Sequence, residues 1–131
     1  EMPKALSELD ILVVPSRTRR NWKEQFGRVI IEAMACQVPV VGSNSGEIPH
    51  VIGEGGLIFP EGNVVLLARR LDELLASDEK RLELGWLARE RVMTHYTPDR
   101  IAERNYALYQ MLIPNRDGDT ARHPRPGRWR R

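Results

Sequence analysis

The spacing of apolar positions changes character along the chain. Ile11-Leu12-Val13-Val14 is an unbroken apolar run closed by Pro15, and Val40-Val41 follows directly on Pro39. Such runs read as short strands. Between them, from Gly27 to Cys36, Ile30, Ile31, Met34 and Ala35 fall on one face of a helix. Strand, helix and strand together have the length of a βαβ crossover. A Gly/Ser/Asn turn from Gly42 to Pro49 leads into a helix through His50, and Gly53-Glu54-Gly55-Gly56 turns the chain into a short third strand, Leu57-Ile58-Phe59. Beyond it the period is helical throughout. Val64, Leu67, Leu71, Leu74 and Leu75 mark one helix. Ser77-Asp78-Glu79 opens a second that continues through Leu82, Leu87 and Val92, and Thr97-Pro98-Asp99 opens a last one through Ile101, Leu108 and Leu112. Met2 to Glu8 reads as a short helix feeding the first strand.

Composition narrows the class. At 131 residues and 41% apolar there is room for one domain with a modest core. No run approaches the ~18 apolar residues of a membrane span, and the start, Glu1-Met2-Pro3-Lys4, lacks the apolar segment of a secretory leader. The single cysteine, Cys36, rules out an internal disulfide and fits a reducing, cytoplasmic compartment. On the apolar face of the central helix it reads as a packed thiol. The net charge of +2 is unevenly spread: six Arg face Asp117 and Asp119 between Pro114 and Arg131, which leaves residues 1–113 slightly acidic. The expected division is therefore a folded unit over 1–113 and a disordered basic tail over 114–131. Trp129 among those arginines would suit a peripheral contact at the inner face of a membrane, although a solvated extension accounts for the same residues. A nucleic-acid partner is disfavoured by the acidic 1–113 body.

The candidate chemistry is concentrated in Glu24 to Glu32, EQFGRVIIE. With a helix starting near Gly27, the two carboxylates are separated by roughly 10–12 Å along its axis. The amides of Phe26, Gly27 and Arg28 stand at the positive end of that helix, where a diphosphate is stabilised by N–H groups and the macrodipole. Carboxylates would repel the phosphates but accept well from a diol, so Glu24 and Glu32 fit hydroxyls on either side of such an anion. The plain alternative for each is a solvated surface glutamate. Ile30, Ile31, Met34 and Ala35 argue against it for Glu32 by placing that residue beside the apolar face.

Leu9 to Phe59 carries LDILVVPS, then E-x7-E, then EAMACQVPVVGSNSGEIPHVIGEGGLIF. This string resembles the C-terminal, donor-binding domain of retaining glycosyltransferases of the GT-B fold, and the likeness extends more loosely to about Ile113. The resemblance implies an α/β, Rossmann-like part of a GT-B domain: a short parallel sheet flanked by helices, followed by a helical C-terminal region. It implies hexosyl transfer from a nucleoside-diphosphate sugar to a glycan or lipid, with no cofactor and no bound metal. Glu24 would contact hexose hydroxyls as the catalytic-site carboxylate, the Phe26-Gly27-Arg28 backbone the hexose and phosphate, and Glu32 the ribose. Asp117-Gly118-Asp119 is then a turn, not a metal site. A dehydrogenase is disfavoured, since no G-x-G-x-x-G follows a strand. A non-catalytic nucleotide-binding or protein-interaction module stays open beside the transferase.

Several further expectations follow. Relatives with this motif carry an N-terminal acceptor-binding domain and an Arg/Lys pair on the diphosphate, neither of which is in these 131 residues, so the chain reads as a C-terminal fragment inactive alone. Its first strand should have an unpaired edge. Gln37 stands where the family usually has Gly, at a helix end that prefers the left-handed region. Arg17, Arg19 and Arg20 could reach a phosphate but are more simply solvated. His50 reads as a surface residue, and Tyr96, Tyr106 and Tyr109 read as packing groups rather than a sugar-stacking platform.

Overall fold

The computed structural model describes residues 2–18 and 27–112. Three parallel strands, β1 (Leu12–Val14), β2 (Val40–Ser43) and β3 (Gly56–Phe59), lie in the order β1-β2-β3. Leu12 faces Val40 and Val14 faces Gly42 across the first pair, and Val40 faces Gly56 and Ser43 faces Phe59 across the second. The helices are α1 (Met2–Ser7), α2 (Arg28–Ala35), α3 (Ile48–Ile52), α4 (Val64–Leu75), α5 (Asp78–His95) and α6 (Pro98–Leu112). Each expected element is present, with ends shifted by a residue or two, as fraying ends permit.

Alternation along the central strand builds a core on each face of the sheet. Val40 packs with Ile30 and Met34 of α2, Ile48, Val51 and Ile52 of α3, and Ala88 and Val92 of α5. Val41, pointing the other way, packs with Phe59 and with Leu74 of α4. Helices on both faces explain why β2 is apolar at consecutive positions rather than at every second one. β1 lies at the sheet edge among the described residues, as expected.

The end of α2 is a Schellman turn. The Gln37 amide bonds to the Met34 carbonyl and the Val38 amide to the Ala33 carbonyl, both at 3.0 Å, with Gln37 at φ 63°. This is the left-handed position expected at this helix end. α5 closes on the same turn. Arg89 Nη1 donates to the Ala35 carbonyl at 2.8 Å, and a Cβ added at Gly85 would overlap the Gln37 carbonyl oxygen. Ser77 caps α5 by accepting from the Lys80 amide at 3.1 Å, as the Ser-Asp-Glu start implies.

Two packing expectations need correction. Leu82 lies on the outer side of α5 and is exposed, because the inner side is taken by Gly85, Ala88 and Val92. Tyr106 and Tyr109 are exposed on α6, a helix none of whose residues is buried among the described ones. Tyr96 does pack, half-buried, against the core beneath α3. The segment 114–131, with the expected basic tail and Trp129, lies outside the described residues.

Candidate functional site at the carboxyl ends of the strands

A strand followed by an antiparallel crossover helix puts the start of α2 at the carboxyl end of the parallel sheet, the end at which open α/β folds bind ligands. Gly27 makes the start possible. It is buried and left-handed (φ 52°, ψ 55°), and a Cβ there would stand 2.6 Å from Ile30 Cδ1. Both the dihedral and the space therefore favour glycine. The Ile30 and Ile31 amides turn back onto the Gly27 carbonyl, at 2.8 and 3.4 Å. The amides of Arg28 and Val29 are left at the positive end of the helix without an intrahelical acceptor. Ile30, Ala33 and Met34 are fully buried, so the helix that presents these groups is fixed by the core.

One turn along, Arg28 Nε donates to Glu32 Oε1 at 3.0 Å. The Arg28 side chain is 88% exposed and that of Glu32 35%, so the contact ties a solvated cation to a more buried anion. Such an i, i+4 pair contributes a few tenths of a kcal/mol, about 0.3–0.5, which a competing ligand can displace. Gly27, Arg28 and Glu32 are thus brought together over the first two turns of α2. Glu24 and Phe26, expected beside them, lie outside the described residues, as do Arg19 and Arg20.

The three loops at this end of the sheet are tied together by polar side chains. Ser43 Oγ donates to the Ser16 carbonyl at 2.7 Å. The Glu61 carboxylate takes both donors of Thr18, the amide on Oε1 at 2.5 Å and the hydroxyl on Oε2 at 2.9 Å. Ser45 Oγ, on a residue only 1% exposed, lies 2.9 Å from Thr18 Oγ1. Asn44 Oδ1 receives the Glu61 amide at 2.7 Å. Nothing in the sequence announces Thr18 and Glu61: the partners are 43 residues apart and each sits in an ordinary loop.

Other polar groups belong to the frame. His50 is exposed, and its carbonyl accepts from Arg91 Nη2 at 2.5 Å, closing the end of α3. Arg70 and Lys80 both hold the Glu73 carboxylate, Lys80 first, and keep it below the ordinary carboxylate value of 4.5. Two surface depressions, of about 270 Å³ beside Glu54, Arg91 and His95 and about 300 Å³ beside Leu9, Pro39 and Arg81, open toward the amino ends of the strands. Topology puts them opposite the start of α2. Among the described residues no cluster of three or more His, Cys, Asp or Glu could hold a metal ion, and no helix is long and apolar enough to cross a membrane.

Comparison with known proteins matches residues 1–91 to the family described as glycosyl transferases group 1. N-acetyl-alpha-D-glucosaminyl L-malate synthase of Bacillus anthracis is 36% identical over 111 residues, which are 83% of this chain and 27% of that protein. The structure of sucrose-phosphate synthase from Thermosynechococcus elongatus superposes with a TM-score of 0.70 at 34% identity, over 82% of this chain and 26% of that one. Anabaena Alr3699/HepE, solved in complex with UDP, shares the fold with a TM-score of 0.69 at 23% identity, over 84% of this chain and 29% of that one. The chain thus spans between a quarter and a third of the length of these relatives. With that match over most of its length and the parallel sheet already described, the chain belongs to the group 1 glycosyl transferases, and its fold is part of their GT-B architecture.

Proposed function

We propose that residues 1–113 form the donor-binding unit of a retaining hexosyltransferase that uses a nucleoside-diphosphate sugar. The observation that carries this reading is the left-handed, buried Gly27 opening α2 at the carboxyl end of the sheet, with Glu32 one turn further on. The Arg28 and Val29 amides would hold the diphosphate, and Glu32 would exchange its contact with Arg28 for the ribose hydroxyls. Glu24, eight residues before Glu32 in the sequence, would orient the hexose, with the Phe26-Gly27-Arg28 backbone beside it. In transfer the acceptor oxygen would bond to the anomeric carbon as the bond to the diphosphate oxygen breaks, the acceptor hydroxyl's proton passing to the departing diphosphate. The leaving group departs as an anion stabilised by helix-terminal amides and cations, and no protein nucleophile is required. A protein of the same fold, Anabaena Alr3699/HepE, was solved in complex with UDP, which agrees with a nucleotide ligand.

The reading is tested by dividing the donor. In an enzyme that contains this unit together with an acceptor-binding half, Glu32→Ala should weaken nucleoside diphosphate binding, while Glu24→Gln should leave it nearly intact and slow transfer. A charge-assisted bond to a hydroxyl accounts for about 10- to 150-fold in whichever constant it serves. Calorimetry with the nucleotide and steady-state kinetics with the intact donor separate the two; equal loss of nucleotide affinity in both variants would overturn the assignment. The 131-residue chain alone should release no nucleoside diphosphate in response to glycan or lipid acceptors, and robust acceptor-dependent release would overturn the partial-site reading.

A further inference from the structure

We infer that the outer face of α5 is a pairing surface for a second copy of this chain, the two copies of the helix packing antiparallel about a twofold axis.

The face carries more apolar surface than a solvated helix needs. Leu82, Trp86 and Met93 are 75%, 59% and 55% exposed. With Arg89 they recur at intervals of four, three and four residues, the spacing of a seam between two helices. Gly85, Ala88 and Val92 occupy the inner side of the same helix, so the seam cannot turn into the protein's own core. Beside Leu82, Leu9 and Pro39 line the depression of about 300 Å³.

The order of the four residues suits pairing with itself. Antiparallel packing that sets Leu82 against Met93 of the second copy also sets Trp86 against its Arg89, and the twofold axis repeats both contacts. The unbranched Met93 of each copy then enters the depression beside Leu82 of the other. Arg89 is prepared for its part, since Nη1 donates to the Ala35 carbonyl at 2.8 Å and holds an exposed guanidinium in place. A guanidinium fixed over an indole face makes a favourable cation–π contact. Glu83 and Glu90, both exposed, stand one turn before and one turn after Trp86 and bracket the incoming Arg89. Charge decides against a lipid surface as occupant: the same two carboxylates, with the exposed Glu79, would be repelled by anionic head groups. The seam runs for about 16 Å along the helix. Contact of that length buries roughly 1,000 Å² in total, the class of reversible rather than permanent dimers. Because Arg89 holds the end of α2 opposite Gly27, the pairing stands apart from the donor-binding reading.

Sedimentation equilibrium of the 131-residue chain, from about 10 µM to about 1 mM, should show reversible dimerisation with a Kd of about 10–500 µM. A chain still monomeric at the highest concentration would overturn the pairing. Trp86→Glu, its helix content checked by circular dichroism, should abolish the dimer over this range. Arg89→Ala should weaken it by about 5- to 30-fold, because the twofold axis loses the contact twice. Tyr109→Glu on α6 should leave it unchanged; a dimer lost in that variant and kept in Trp86→Glu would put the contact on α6 and overturn this one. Direction is read by charge. Leu82→Lys and Met93→Glu should each weaken the homodimer, and a mixture of the two should associate more tightly than either alone, since antiparallel pairing brings positions 82 and 93 together. A mixture no tighter than its components would overturn the antiparallel arrangement.

Discussion

α2 and α6 reach the helical state by opposite routes. α2 has eight residues, no side-chain cap at its start and a left-handed glycine before it, yet Ile30, Ala33 and Met34 are fully buried. α6 has fifteen residues, with Thr97 and Pro98 at its start, and buries none of them. A helix as short as α2 does not persist in water by itself, so packing must hold it. α6 draws on local signals, a favourable start and an acidic first turn at Asp99. The lesson concerns precision: a site carried on α2 inherits the rigidity of the core, whereas α6 presents Tyr106, Tyr109 and Met111 to solvent.

Truncation of one methionine in each helix should show the largest contrast. Met34→Ala, at a position with no exposure, should cost about 2–5 kcal/mol in urea melts. Met111→Ala, at 83% exposure, should stay within about 0.5 kcal/mol. Equal costs would mean that α6 is packed in solution and that the comparison fails.

The support of α2 by α5 is sharpened by Gly85→Ala. Helix propensity alone favours alanine by about 1 kcal/mol. The new methyl group would overlap the Gln37 carbonyl oxygen, a backbone atom that cannot swing aside, so a net loss of about 1–3 kcal/mol is expected. A gain in stability would show that α5 does not sit this closely on the end of α2.

At the neighbouring position the sign reverses. Gln37 has φ 63°, where glycine avoids the steric penalty of a side chain, so Gln37→Gly should stabilise by about 1 kcal/mol in the same melts. Destabilisation would place residue 37 in the right-handed helix instead.

The smallest effect tests the α4–α5 junction. Lys80 and Arg70 lower the Glu73 carboxyl below its ordinary 4.5, so its contribution is present in full above that value and is lost as pH falls through the lowered one. Because the side chain is one-third exposed, solvent screening limits the effect to less than about 1 kcal/mol. Glu73→Gln should cost that small amount at neutral pH and slightly flatten the acid limb, the two proteins converging below the lowered value; identical profiles would show that the pair contributes nothing.

What the sequence determined by itself were the features written in local pattern. The three apolar runs, the helical period of Val64–Leu75, the Ser77 and Thr97 starts and the left-handed Gln37 each depend on residues within a few positions of one another, so chain order suffices to read them. So does the grouping of Gly27, Arg28 and Glu32, which one helix carries. The tertiary structure alone decided which face of α5 turns inward, since Leu82 and Ala88 differ in exposure only because Gly85 must lie against the Gln37 carbonyl. It alone left Tyr106 and Tyr109 uncovered among the described residues. It also joined Thr18 to Ser45 and Glu61 across 27 and 43 residues of chain. Side-chain hydrogen bonds between loops have no sequence period, because their partners meet only after the strands between them have paired.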